Sequence, residues 1–306
     1  MYSTIKFYLL ITASMAIYAC NGSKTSNEEA SADADATASP EVRVNNNGVF
    51  IAHKSCGDGD TTLLFVHGWA IDQTYWSGQV EAFCPDYRVV TIDLPGHGSS
   101  GSDRDSWTVE DYAGDVKAVI DQLHLNNVIL IGHSMAGDII LEAGINNDKV
   151  IALVGVDNFK DVGFEYTEEI QAQISGFIDQ LKTNFDTVAT AYSKTYLFHP
   201  TTDSAIVDRV ITNVVEIDSS IATTTLQKLF EYAPKEADRL SQLDKELYLI
   251  NSSATPTDST GLKSTGVSYK ILDIGPTGHY PMVEAPEKFN TLLRSALEDI
   301  NADANE

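Results

Sequence analysis

The sequence predicts an α/β fold in which short apolar strands, closed by glycine-containing turns, alternate with segments of helical spacing. Three stretches carry that expectation. Asn127-Val128-Ile129-Leu130-Ile131 leads into Gly132-His133-Ser134-Met135-Ala136-Gly137 and then into the helix-compatible Asp138-Ile139-Ile140-Leu141-Glu142-Ala143. Thr61-Thr62-Leu63-Leu64-Phe65-Val66 runs into His67-Gly68-Trp69, and Arg88-Val89-Val90-Thr91-Ile92 into Asp93-Leu94-Pro95-Gly96-His97-Gly98-Ser99-Ser100. Short β-rich runs stopped abruptly by Gly and Pro are buried strands.

Taken from the start, the chain opens with a targeting device. After Lys6, Phe7 to Ala19 is an apolar stretch of about 13 residues, too short for a membrane span and right for the core of a signal peptide. It stops at Ile17-Tyr18-Ala19-Cys20, which resembles a bacterial lipoprotein signal. Residues 1–19 are then the signal peptide, and Cys20 is the lipidated first residue of the mature protein; a secretory peptide cleaved elsewhere is the alternative. From 20 to 40 the chain is Ser, Ala, Asp, Glu, Asn and Thr without apolar periodicity, read as a lipidated, disordered acidic tether. The folded domain is expected over 41–306.

A chain of 306 residues that is 43% hydrophobic can bury the core of one large domain with an inserted piece. Its 44 acidic against 20 basic residues leave a net charge of −24, with no basic stripe, and argue against nucleic-acid binding. The seven histidines are scattered, without metal-ligand spacing, so neither a metal nor another cofactor is implied.

The string around Ser134 carries chemistry. A serine raised on a sharp turn between strand and helix sits in a strained backbone conformation, so the residues two before and two after it must be small. Gly132 and Ala136 meet that demand. Gly68 lets the chain turn so that amide N–H groups face a developing oxyanion, and the two expected donors are Trp69 and Met135. His67 and His133 are read as local hydrogen-bonding residues that hold their turns, Asp93 and His97 as turn-fixing residues, and Asp138 as a carboxylate at a positive helix end.

Further on, Val150 to Val156 is an apolar strand ending in Asp157. From about 165 to 243, Ile170, Ile174, Phe177, Ile178 and Leu181, then Ile206, Val210, Ile211, Val214 and Val215, recur at helical spacing and predict an inserted helical cap. Strand-like Leu247 to Asn251 is followed by Ser252-Ser253-Ala254-Thr255-Pro256-Thr257, which holds no carboxylate, and Asp258 comes only afterwards. Val267 to Leu272 then leads to Gly278-His279-Tyr280-Pro281-Met282-Val283-Glu284-Ala285-Pro286-Glu287-Lys288-Phe289.

Together these strings resemble the α/β-hydrolase family. The resemblance implies a mostly parallel central sheet flanked by helices, a cap over the nucleophile, Ser134 as nucleophile and His279 as its base. The cap aromatics Phe177, Phe185, Tyr192, Tyr196, Phe198, Phe230 and Tyr232 are candidate pocket residues, against the plainer reading that they pack into a core. In the usual family pattern the acid follows the strand after the cap, where this chain has none before Asp258; some members place it where Asp157 stands, and Asp157 is favoured. Cys56, ending an early antiparallel strand from Val49 to His53, and Cys84, preceding the strand 88–92, are a plausible disulfide in an exported protein, with two separately buried thiols as the alternative.

Serine at the turn, where relatives that dehalogenate or open epoxides carry aspartate, points to acyl chemistry. The expected protein is a serine esterase or lipase-like enzyme acting on a small ester, lipid-anchored in the bacterial envelope and facing the periplasm or cell surface, with no obligate protein partner. Cleavage of a carbon–carbon bond beside a ketone, perhydrolysis, and non-catalytic ligand binding on the same fold are the alternatives.

Overall fold

The computed structural model describes residues 43–303. The segments expected as signal peptide (1–19) and lipidated tether (20–40, beginning at Cys20) lie outside the described residues, and the first element begins at Val44. Strands β1 (Val44–Asn46) and β2 (Val49–Ile51) form an antiparallel ribbon. The central sheet has seven strands: β3 (His53–Cys56), β4 (Thr62–Val66), β5 (Arg88–Ile92), β6 (Val128–His133), β7 (Val150–Val156), β8 (Glu246–Ser252) and β9 (Tyr269–Gly275). Their order is β3-β5-β4-β6-β7-β8-β9, with β3 antiparallel to β5 and every other pair parallel.

The centre of that sheet consists of continuous apolar runs because both of its faces are covered, which leaves no place for the in–out alternation of a half-exposed strand. All six residues of β6 are buried. Helix Val109–Gln122 packs on helix Ala136–Gly144, and helix Ser77–Phe83 on helix Pro286–Asp303. A capping box starts the 109–122 helix, Thr108 and Asp111 each satisfying the other's backbone amide.

Between β7 and β8 lie the helices Glu168–Thr183, Phe185–Tyr196, Ser204–Glu216, Ser219–Tyr232 and Glu236–Leu240. Asp203 and Asp218 cap two of them by accepting from amides of the first turn. The insert is tied to the sheet: Trp69 Nε1 donates to the carbonyl of Ala222 at 2.8 Å, and the His279 amide to the carbonyl of Leu197 at 2.9 Å.

The early strand differs from its expected bounds. Val49–Ile51 belongs to the ribbon, and a separate strand, His53–Cys56, enters the sheet beside β5. The break falls at Ala52, whose amide donates to Ser100 Oγ and whose carbonyl accepts from the Asp93 amide, so the loop after β5 holds the crossing point. Cys56 therefore ends β3, and it is joined to Cys84 by a disulfide with Cα atoms 5.7 Å apart. Closing a loop of 28 residues constrains the unfolded chain by about 3–4 kcal/mol on loop entropy. The Cys56→Ser/Cys84→Ser protein should lose about that much in urea unfolding, and a loss below ~1 kcal/mol would show that loop closure contributes little here.

Candidate active site

The carboxyl ends of β4, β6, β7 and β9 meet at one edge of the sheet, where parallel α/β sheets form their sites. Ser134 follows β6 with φ +55°, a left-handed conformation that costs a non-glycine residue about 1–2 kcal/mol. The turn is tight. A Cβ on Gly132 would lie 2.5 Å from the carbonyl oxygen of Ala136, and one on Gly68 would lie 2.6 Å from His133 Nδ1 and 3.1 Å from the Ser134 Cβ. Glycine at these two positions lets the β4 turn and the Ser134 turn touch.

Three predicted residues meet in one relay. Ser134 Oγ is 2.7 Å from His279 Nε2, and His279 Nδ1 donates to Asp157 Oδ2 at 2.7 Å. Asp157 is 93% buried by its 7% exposure and also has a left-handed backbone, φ +51°. Its second oxygen accepts from the Ser252 amide at 3.0 Å and faces Lys160 Nζ at 2.6 Å. Burial alone would raise its pKa; the His279 hydrogen bond and the Lys160 charge outweigh burial and bring the carboxyl down to about 2. Asp157 is thus an anion wherever a histidine base can work.

Asp258 stands elsewhere. It caps the helix Ser259–Thr265, accepting from the Thr260 amide at 2.9 Å, and the Thr260 side chain together with that amide holds its carboxyl below the usual range. Of the two expected oxyanion donors, Met135 follows Ser134 in the chain and Trp69 comes to the site from the β4 turn. Met135 is the N-cap of the helix Ala136–Gly144, so its amide lies ahead of the helical ladder, and Trp69 directly follows Gly68, which packs against Ser134.

Four supporting residues escaped the sequence reading or take a larger part than expected. Glu284 holds the His279 loop on both sides, accepting from the Gly278 amide at 2.9 Å and the Tyr280 amide at 3.1 Å. Asn158 donates to the Gly132 carbonyl at 2.9 Å and so ties the end of β7 to the serine turn. Lys160 is the charge partner of Asp157. His133 does not stay local: burial lowers its pKa to about 3, and the neutral ring donates from Nε2 to the His279 carbonyl at 2.7 Å. Their only sequence signals are proximity to Ser134, Asp157 and His279, which does not reveal partners across the fold.

His67 accepts from the Leu94 amide at 2.9 Å and donates to the Gly68 carbonyl at 2.8 Å, fixing the β4 turn. Asp93 accepts from the Gln73 and Ser99 amides. Among the cap aromatics, Phe230 lines the cavity beside Ser134, and Phe185 packs edge-on against Trp69. Phe177 and Tyr232 are buried in packing, Tyr192 lies between Phe177 and Tyr196, and Phe198 packs on Tyr280. A hydroxyl, a neutral imidazole acceptor and an oriented anion in this order can raise the nucleophilicity of the hydroxyl and move its proton.

The alpha/beta hydrolase family matches residues 63–292, more than half of the chain. The chain belongs to this family. Karrikin insensitive 2 receptor IA of Petunia hybrida is 25% identical over 268 residues, covering 83% of this chain and 97% of the receptor. The bifunctional esterase/perhydrolase of Acinetobacter calcoaceticus is 36% identical over 93 residues, covering 30% of this chain and 34% of that protein. Several other curated relatives likewise match over only about a quarter to a third of their own length. An esterase from Exiguobacterium antarcticum superposes with a TM-score of 0.73 at 18% identity, covering 84% of this chain and 98% of the esterase, which is a likeness of fold. The hydrolase family membership and the sheet, turn and relay geometry therefore agree.

Proposed function

We propose that this α/β hydrolase is a serine esterase that cleaves small esters through an acyl-enzyme. One observation carries the reading: the unbroken relay Ser134 Oγ, His279 Nε2, His279 Nδ1 and Asp157 Oδ2, with both hydrogen bonds at 2.7 Å. Ser134 attacks the ester carbonyl as His279 takes its proton, and the oxyanion is held by the amides of Trp69 and Met135. His279 then delivers the proton to the departing alcohol. A water follows the same route in reverse and releases the acid, returning the proton to Ser134.

A fluorophosphonate probe, which reacts only with an activated serine, tests this directly. Wild-type protein should be labelled at Ser134 and should hydrolyse p-nitrophenyl acetate. Absence of both would favour ligand binding without turnover, the reading suggested by the receptor named among the relatives. Perhydrolysis, suggested by the Acinetobacter relative, would appear as ester-dependent peracid formation in hydrogen peroxide.

The proposal extends to location. The apolar stretch Phe7 to Ala19 before Cys20 supports lipid attachment at that cysteine, which would leave the enzyme tethered at an extracytoplasmic face of a bacterial membrane. Cys20→Ser should move the protein from the membrane fraction to the soluble one, and unchanged fractionation would contradict the anchor.

A further inference from the structure

Four residues past Ser134, in the first turn of the helix Ala136–Gly144, stands a carboxyl group that the relay does not use. Asp138 lines a cavity of about 180 Å³ beside the nucleophile, together with Ser134 itself, Glu236, Phe159, Tyr166 and Phe230. The residue is only 7% exposed, and its Oδ1 has no hydrogen-bond partner. A buried acceptor without a donor costs about 1–3 kcal/mol and calls for a group that supplies one.

The neighbourhood makes that missing group a cation. Glu236 lines the same cavity, and two carboxyls so placed share a proton rather than ionise together. Burial pushes the Asp138 carboxyl up to about 7, and Glu142 and Glu110 add like charge; Glu236 is raised by burial and by Asp138 and Asp161. Among the described residues neither carboxyl has an ion-pair partner. Basic groups of the surrounding elements are committed to other acids: Arg239 grips Glu142 at 2.6 Å, Lys160 faces Asp157 at 2.6 Å and Lys235 faces Glu110 at 3.3 Å. Helix electrostatics, sufficient for an exposed Asp138, does not account for a buried acid that shares the serine's cavity with a second, half-buried one.

We propose that the cavity beside Ser134 receives the ammonium group of a cationic ester, with Asp138 and Glu236 as counter-ions and Phe159, Tyr166 and Phe230 as aromatic walls. Carboxylates supply the charge and the unmet acceptor, and ring faces attract a cation as well as shielding it from water. On binding, the ammonium replaces the shared proton, which leaves to solvent, so both acids are ionised against it. This substrate class rests on the esterase reading above.

The test compares esters that differ only in charge. On the acyl side, p-nitrophenyl 6-aminohexanoate is paired with p-nitrophenyl heptanoate; on the alcohol side, 2-(dimethylamino)ethyl acetate, protonated at neutral pH and keeping one N–H donor, is paired with 3-methylbutyl acetate. In at least one pair wild-type kcat/KM should favour the cation by about tenfold or more, the scale of a charged hydrogen bond. Asp138→Asn and Glu236→Gln should each bring that ratio down severalfold. A neutral preference or equality in both pairs would overturn the cation site and leave the esterase reading intact. So would a cationic preference that both variants retain. Hydrolysis of no ester at all would overturn the esterase reading and this inference with it. The wild-type comparison stands even where a variant folds poorly.

Discussion

Ser134→Ala should lower kcat on p-nitrophenyl acetate by about 10⁶-fold, leaving only the residual rate that binding and the oxyanion donors supply. The expectation follows from geometry: Ser134 Oγ is the atom that His279 Nε2 touches at 2.7 Å, and alanine removes it while keeping the Cβ that the turn already accommodates. Stability should change little, since alanine at φ +55° bears about the same backbone strain as serine. Initial rates paired with thermal melts check both halves. A folded variant within tenfold of wild type would mean that ester turnover runs through another residue.

The serine turn was legible because its requirements are local: a strand, a residue in a strained conformation, and small neighbours, all inside one short string. Strands β5 and β7 likewise have the expected bounds, Arg88–Ile92 and Val150–Val156, as continuous apolar runs with sharp stops. What the string could not disclose is partnership across the sheet. His133 reads as a turn residue, yet its hydrogen bond goes to His279, 146 positions away. Asp138 reads as a helix-end carboxylate, and only packing by Glu236 and the cap buries it. Burial depends on what folds over a residue, and here the covering elements come from the insert between β7 and β8.

The choice of acid shows the same division. Sequence alone favours Asp157, which ends an apolar strand, over Asp258, which comes only after a loop without carboxylates; the structure brings Asp157 to His279 and leaves Asp258 capping a helix. Asp157→Asn should lower kcat by about 10⁴-fold, because an amide in that place no longer selects the tautomer that accepts from Ser134. Asp258→Asn should stay close to wild type, as asparagine caps a helix about as well as aspartate. The first variant also leaves Lys160, whose side chain is 14% exposed, without its counter-ion, so a lower melting temperature should accompany the lost turnover. pH separates the two losses. With the folded-state carboxyl held at about 2, the stabilisation from Asp157 is complete above its unfolded value of about 4 and fades as pH falls toward 2. Urea midpoints of wild type and Asp157→Asn should therefore converge on acidification, while their difference in kcat at neutral pH stays at about four orders of magnitude. Near-normal turnover in Asp157→Asn with collapse in Asp258→Asn would instead place the working acid on the β8 loop, and with it a rearrangement that brings Asp258 to His279.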